Sequence, residues 1–135
     1  MGFNRLYVDE QVDRALKRLS TRTGLRPNII CRIGLCLSLA QDNVPQVELF
    51  SSSSSREFNL PTLVGQYGEL FFALLRERLV RDGLHPNQDL EPQFKAHLSR
   101  GVMQLDVRVQ RPEDITSLVA HAQRTDAKLM TEASP

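Results

Sequence analysis

The chain has 135 residues, 41% of them hydrophobic and 24% charged, which describes an ordinary water-facing protein with one modest core. No apolar run approaches the ~20 residues of a membrane span, and the start of the chain lacks the pattern of a signal peptide, so the expected compartment is the cytoplasm. Net charge is only +1, yet residues 1–32 hold seven bases and three acids against ten and thirteen in the remainder, which places any polyanion site at the N-terminal end.

In chain order, the first element is a short basic strand over Asn4–Val8. Leu6 and Val8 point one way, and Arg5 and Tyr7 the other. Paired with the same strand of a symmetry mate, it would make a ribbon able to lie on DNA with Arg5 and Tyr7 facing out. Asp9 is the expected N-cap of a helix running to about Arg22. Val12, Ala15, Leu16 and Leu19 form its apolar stripe, and Arg14, Lys17, Arg18 and Arg22 its opposite side. Thr23-Gly24 ends it, with Gly24 suited to the left-handed position after a helix.

Pro27 suits the first turn of a second helix. Ile29, Ile30, Ile33, Cys36, Leu37 and Ala40 share one face of it, while Cys31, Leu35 and Leu39 lie opposite, and Arg32 is the only charged residue between Pro27 and Gln41. A helix apolar all round must be buried all round. The expectation is that one side packs on another subunit; the alternative is a central helix wrapped by its own chain. Arg26 stands just before this helix, where a positive charge is unfavourable unless an anion binds there; the backbone N–H groups of Asn28 and Ile29 would complete a phosphate site. Cys31 and Cys36, five apart, cannot bridge on one helix and read as small buried hydrophobes.

Residues 41–60, with the serine run Ser51–Ser55, read as an irregular, flexible surface loop, with a short extended piece over Val44–Phe50. A third helix is expected over about Pro61–Arg81, with a stripe of Leu63, Tyr67, Leu70, Phe71, Leu74 and Leu75, weakened at Gly65 and Gly68 and closed by Asp82-Gly83. A fourth runs from near Pro92 to 106–108 and buries Phe94, Leu98, Val102 and Leu105. Pro112-Glu113-Asp114 opens a fifth, docked by Ile115, Leu118, Val119 and Ala122. The expected domain is 1–122, with a frayed tail over 123–135.

Catalytic signals are close to absent. His85, His97 and His121 are scattered, no cluster has metal-ligand spacing, and no phosphate-binding loop or nucleophile elbow is present. The expectation is a protein that is not an enzyme and carries no metal or cofactor. The aromatics sit mostly in apolar stripes and make a poor base-stacking platform, which favours duplex backbone contact over single-strand binding.

Asn4-Arg5-Leu6 and the run Thr23-Gly24-Leu25-Arg26-Pro27-Asn28-Ile29-Ile30-Cys31-Arg32-Ile33-Gly34-Leu35-Cys36-Leu37-Ser38-Leu39 resemble the DndE family of bacterial DNA phosphorothioation proteins. Glu57-Phe58-Asn59, Leu74-Leu75-Arg76-Glu77-Arg78-Leu79 and the run from Gln93 to Gly101 resemble it too, so that the likeness covers roughly residues 4–122. It implies a mainly α fold, a ribbon-helix-helix-like unit with about three added helices, assembled as a homo-oligomer such as a dimer of dimers. It also implies a part in replacing a non-bridging phosphate oxygen of DNA by sulfur, alongside a cysteine desulfurase, an iron–sulfur adenylating enzyme and an ATPase. The chain's expected role is then to bind double-stranded DNA through phosphates with Arg5, Tyr7, Arg14, Lys17, Arg18, Arg22, Arg26 and Asn28 and to present it to those partners, with a preference for nicked DNA as a further hypothesis. The alternatives are a sequence-specific ribbon-helix-helix repressor or antitoxin, an enzyme, and an adaptor that binds only protein partners.

Overall fold

The computed structural model describes residues 3–54 and 56–118. The chain order is strand β1 (Arg5–Tyr7), helix α1 (Glu10–Thr23), helix α2 (Pro27–Leu39), a 3-10 turn (Val47–Phe50), strand β2 (Glu57–Asn59), helix α3 (Leu60–Val64), a 3-10 turn (Gly65–Tyr67), helix α4 (Gly68–Arg81) and helix α5 (Leu90–Arg108). Residues 113–118 are helical again after Pro112, as expected, with Ile115 and Leu118 against the core. The expected contacts of Val119 and Ala122, and the tail over 123–135, lie outside the described residues. No helix among the described residues is long and apolar enough to cross a membrane.

The first forty residues fold much as their pattern dictates. The Asp9 carboxylate accepts from Gln11 N at 2.9 Å, a side-chain N-cap for α1. Val12, Ala15, Leu16 and Leu19 are buried. Gly24 closes the helix at φ 75°, and its N–H donates to Ser20 O, the left-handed stop that only glycine adopts without strain. Pro27 opens α2 as its first residue.

Helix α5, not α2, is the all-round buried helix. It buries Phe94, Leu98, Val102 and Leu105 as expected, and also Gln93, His97, Ser99 and Gly101 on its other sides. α1, α2 and α4 pack around it. The closest crossing is glycine on glycine. A Cβ on Gly34 of α2 would stand 2.8 Å from the backbone N of Val102, and a Cβ on Gly101 would fall inside the Gly34 carbonyl. That approach turns the Cys31, Gly34, Leu35 and Ser38 face of α2 inward. The isoleucine-rich face is left partly open: Ile29, Ile33 and Leu37 are half-buried, and Cys36 and Ala40 are exposed. The chain therefore covers α2 largely by itself, and the inference from its composition to a second subunit is weakened. Cys36, expected to be buried, is exposed, whereas Cys31 is buried and burial pushes its thiol pKa up.

Residues 41–54 and 56–60 hold more secondary structure than expected. The piece expected to be extended over Val44–Phe50 holds a 3-10 turn that buries Phe50, and β2 pairs antiparallel with β1 in the register Arg5 with Asn59, Leu6 with Phe58, and Tyr7 with Glu57. The ribbon expected between symmetry mates is thus a ladder within one chain. Ser54 N donates to Val8 O at 2.8 Å and Leu60 N to Asn4 O at 2.9 Å, extending it at both ends. Leu6 and Phe58 face inward, and Phe3, beside them in the core, packs on Phe94 and Phe72 at ring distances of 5.7 and 6.0 Å.

The single helix expected over Pro61–Arg81 is broken at Gly65, whose φ of 61° lies in the left-handed region and ends α3. The break shifts the helical phase. Phe71, Phe72, Leu75, Arg78 and Leu79 become the inner face of α4, while Tyr67, Leu70 and Leu74, expected in the apolar stripe, are exposed. Arg78 is a buried pin: Nε donates to both Asp82 oxygens at 2.9 and 3.1 Å, Nη1 to Leu39 O at 3.0 Å, and Nη2 to Asn43 O at 2.9 Å. Arg100 holds the same chain turn, donating to Ser38 O at 3.0 Å and Asn43 O at 2.9 Å. Arg100 Nε also donates to Ser38 Oγ at 2.9 Å, and that hydroxyl lies 2.9 Å from His97 Nδ1.

Candidate nucleic-acid interface

Helix α1 is stapled to the core through its apolar stripe, so its opposite side must face water. Arg14, Lys17, Arg18, Thr21 and Arg22 recur there at intervals of three and four, one face of a helix, over about 12 Å of its length. The structure brings these four cations together as expected. A shallow open groove runs between Lys17, Arg18, Thr21 and Arg22.

Each cation of this face meets an acid, which the sequence count of charges does not reveal. Arg14 pairs with Glu10 at 3.3 Å and Lys17 with Asp13 at 3.4 Å, both one turn back on α1. Asp13 is also held by Arg56, whose side chain rests 5.9 Å from the Phe58 ring centre. Burial works to raise the Asp13 pKa, but hydrogen bonds and charge from Arg56 and Lys17 outweigh it and hold the carboxyl below its ordinary value. Arg18 and Arg22 share one acid from the far end of the chain. Arg18 Nη2 donates to Asp106 Oδ2 at 2.7 Å and Nε to Oδ1 at 3.3 Å. Arg22 Nη1 donates to the same Oδ1 at 3.1 Å and to the Asp106 carbonyl at 3.2 Å. The hydrogen bond to Asp106 raises the Arg18 pKa further above its ordinary value.

Arg26 is exposed at the N-cap of α2 and makes no side-chain capping bond, and it forms no ion pair among the described residues. The anion site expected there is narrower than the sequence suggests. Ile29 N–H is not free, since it donates to Arg26 O at 3.1 Å, and the Asn28 side chain donates to Thr62 O at 3.2 Å. Arg32 likewise turns to backbone, donating to Leu63 O at 2.7 Å and Thr62 O at 3.0 Å.

Arg5 and Tyr7 stand on the outer face of the sheet as expected, yet both are engaged by Glu57 from β2: Arg5 Nε at 3.1 Å and the Tyr7 hydroxyl at 3.1 Å. Sequence reasoning missed Glu57 and Asp106 as members of the site. β2 lies in a stretch whose sequence reads as loop, and Asp106 carries no signal beyond its place near a helix end. Among the described residues, no group of three His, Cys, Asp or Glu side chains is placed to hold a metal ion. His97 is buried, and burial together with Arg100 and Arg78 pushes its pKa down to about 3, so it is a neutral core residue rather than an acid or base at a surface.

The fold is similar to the crystal structure of DndE from Escherichia coli B7A, described as involved in DNA phosphorothioation modification. The TM-score is 0.64 at 23% sequence identity, covering 78% of this chain and 98% of that one. No curated protein sequence matches the chain. Residues 5–112, which span the sheet, the basic helix and the buried helix that carries Asp106, match the family model of the DNA sulphur modification protein DndE, and the chain belongs to that family.

Proposed function

We propose that this chain is the duplex-binding component of a DNA phosphorothioation system, gripping DNA through backbone phosphates along the outer face of α1. The observation that carries this reading is the row Arg14, Lys17, Arg18 and Arg22 on one exposed helix face, with Arg26 beyond its end. The ion pairs of Arg14 and Lys17 do not oppose it. The Arg14–Glu10 pair is exposed on both sides and worth about 0–1 kcal/mol, and the buried Asp13 keeps Arg56 when Lys17 turns to a phosphate, so exchanging a carboxylate for a phosphate with release of condensed counterions is favourable. Arg26 adds a cation at the positive end of α2, where a bound phosphate reverses an unfavourable placement.

The chain works as a homo-oligomer that places several such faces on one duplex and hands the DNA to the enzymes that activate and transfer sulfur. The support for self-association is the apolar surface left open on α4 at Leu70 and Leu74. A preference for nicked duplex belongs to the same reading, and equal affinity for nicked and intact DNA removes it.

The test is the salt dependence of duplex binding for the parent and for Arg14→Ala with Lys17→Ala. Two lost phosphate contacts flatten the log–log slope by about 1.8. An unchanged slope takes Arg14 and Lys17 out of the interface and overturns the four-cation row as the gripping face.

A further inference from the structure

We propose that Asp106 is an internal stand-in for a DNA phosphate: its carboxylate occupies the Arg18–Arg22 pair in the free protein and gives way when a backbone phosphate arrives. The inference rests on the reading of α1 as a phosphate-binding face.

Three observations lead to it. The first is geometric. Arg18 grips the carboxylate with two N–H groups, at 2.7 and 3.3 Å, and Arg22 adds a third at 3.1 Å. Paired guanidiniums on one planar anion form the arrangement that also takes a phosphate. The second is position. Asp106 lies in the last turn of α5, where the helix dipole disfavours a carboxylate, so the stability of α5 gives no reason for an acid there. The third is the exposure gradient. The Asp106 side chain is 13% exposed, Arg22 28% and Arg18 46%, so the anion sits at the back and the guanidiniums present their outer edges to the open groove beside Lys17 and Thr21. Arg14 and Lys17 differ: each meets an acid of α1 itself through one contact, at 3.3 and 3.4 Å, and the buried Asp13 is also held by Arg56.

A resident carboxylate competes with phosphate for the two arginines, and it draws them back when DNA leaves. The protein is then tuned for release as well as for binding, as suits a component that passes its DNA on.

The experiment compares duplex affinity across salt for the parent, Asp106→Asn and Asp106→Glu. Asp106→Asn keeps the side-chain shape and removes the charge. Because the carboxylate gives way in the parent complex too, parent and Asp106→Asn form the same phosphate contacts and their slopes stay alike. The expected result is that Asp106→Asn binds about fivefold tighter at each salt concentration, since it has no partly exposed ion pair to break first. Asp106→Glu restores the charge and returns the affinity toward the parent's. Equal or weaker binding by Asp106→Asn overturns the proposal, because the carboxylate then positions the arginines instead of competing for them. The unaltered protein supplies a second readout. On titration with a duplex, the Asp106 carboxyl carbon signal should move together with the Arg18 and Arg22 Nε–H signals; a stationary Asp106 signal overturns the proposal. The reading of α1 fails separately. If Arg14→Ala with Lys17→Ala flattens the slope and Asp106→Asn does not tighten binding, α1 remains the interface and only the role of Asp106 falls.

Discussion

Replacing Gly101 by alanine should destabilise the protein severely, although alanine is the better helix former by about 1 kcal/mol. The reason is the crossing of α2 and α5. At Gly101 the added methyl falls inside the Gly34 carbonyl, with the Gly34 carbonyl carbon and Cα also within contact range. These atoms belong to helix backbone and cannot rotate away as a side chain does. Relief requires the two helices to separate, which opens the core between Cys31 and Leu35 on one side and Leu98 and Val102 on the other. Overpacking of well-packed cores costs about 1–3 kcal/mol, and a backbone clash belongs at the upper end or beyond it. We expect a net loss of about 3 kcal/mol or more, a large share of the ~5–15 kcal/mol of a domain of this size. Gly34→Ala, whose methyl would stand 2.8 Å from Val102 N and 3.1 Å from its Cγ2, should lose less, about 1–2 kcal/mol. The assay is urea unfolding followed by far-ultraviolet circular dichroism, in which a 3 kcal/mol loss lowers the midpoint by about 1–3 M. A Gly101→Ala protein as stable as the parent, or more so, would mean that helix propensity alone decides and that the two helices do not meet there.

His97 makes stability depend on pH. Its pKa is about 3 in the fold against an ordinary 6.5, so the unfolded chain takes up a proton between those values and the native one does not. Stability is full well above pH 6.5 and falls as pH drops, by about 1.4 kcal/mol between pH 7.5 and 5.5, a window about a unit above the ordinary carboxylate values. Urea titrations at both pH values should show this loss, and His97→Gln should remove it; an unchanged pH dependence in the variant would refute the assignment. Arg78→Met leaves Asp82 as a buried charge and strips the carbonyls of Leu39 and Asn43 of a donor, so the expected loss is about 3–5 kcal/mol by thermal or urea unfolding. A loss below 1 kcal/mol would show that Arg78 is not the pin between α4 and the turn after α2.

Local pattern made α1 legible from end to end. The Asp9 cap, the stripe of Val12, Ala15, Leu16 and Leu19, and the glycine stop at Gly24 all depend on neighbours within a few residues, which a sequence displays directly. What escaped depends on distant partners. Helix α5 is the spine of the fold, but Gln93, His97 and Ser99 make it read as amphipathic, whereas the glycine approach at Gly34 and Gly101 is what lets it sink between its neighbours. α2 reads as buried on every side because it is apolar on every side, yet hydropathy is permissive: an apolar residue such as Ala40 stands in water without penalty large enough to forbid it. β2 was hidden by its flanking serine run, and with it the partner of β1 and the Glu57 carboxylate that holds Arg5 and Tyr7. The basic row of α1 could be read off its spacing; the acids that hold it could not, since Asp106 lies 88 residues from Arg18.

The account stands on α1 meeting the phosphates of a duplex. The most direct measurement is a residue-resolved map, by backbone amide chemical shifts, of the surface that a short duplex perturbs at low salt. The expected perturbations cluster on Arg14–Arg22 and at the start of α2 around Arg26, and fade together as salt is raised. Perturbations confined to the exposed face of α4 at Leu70 and Leu74, or none at any salt, would contradict it.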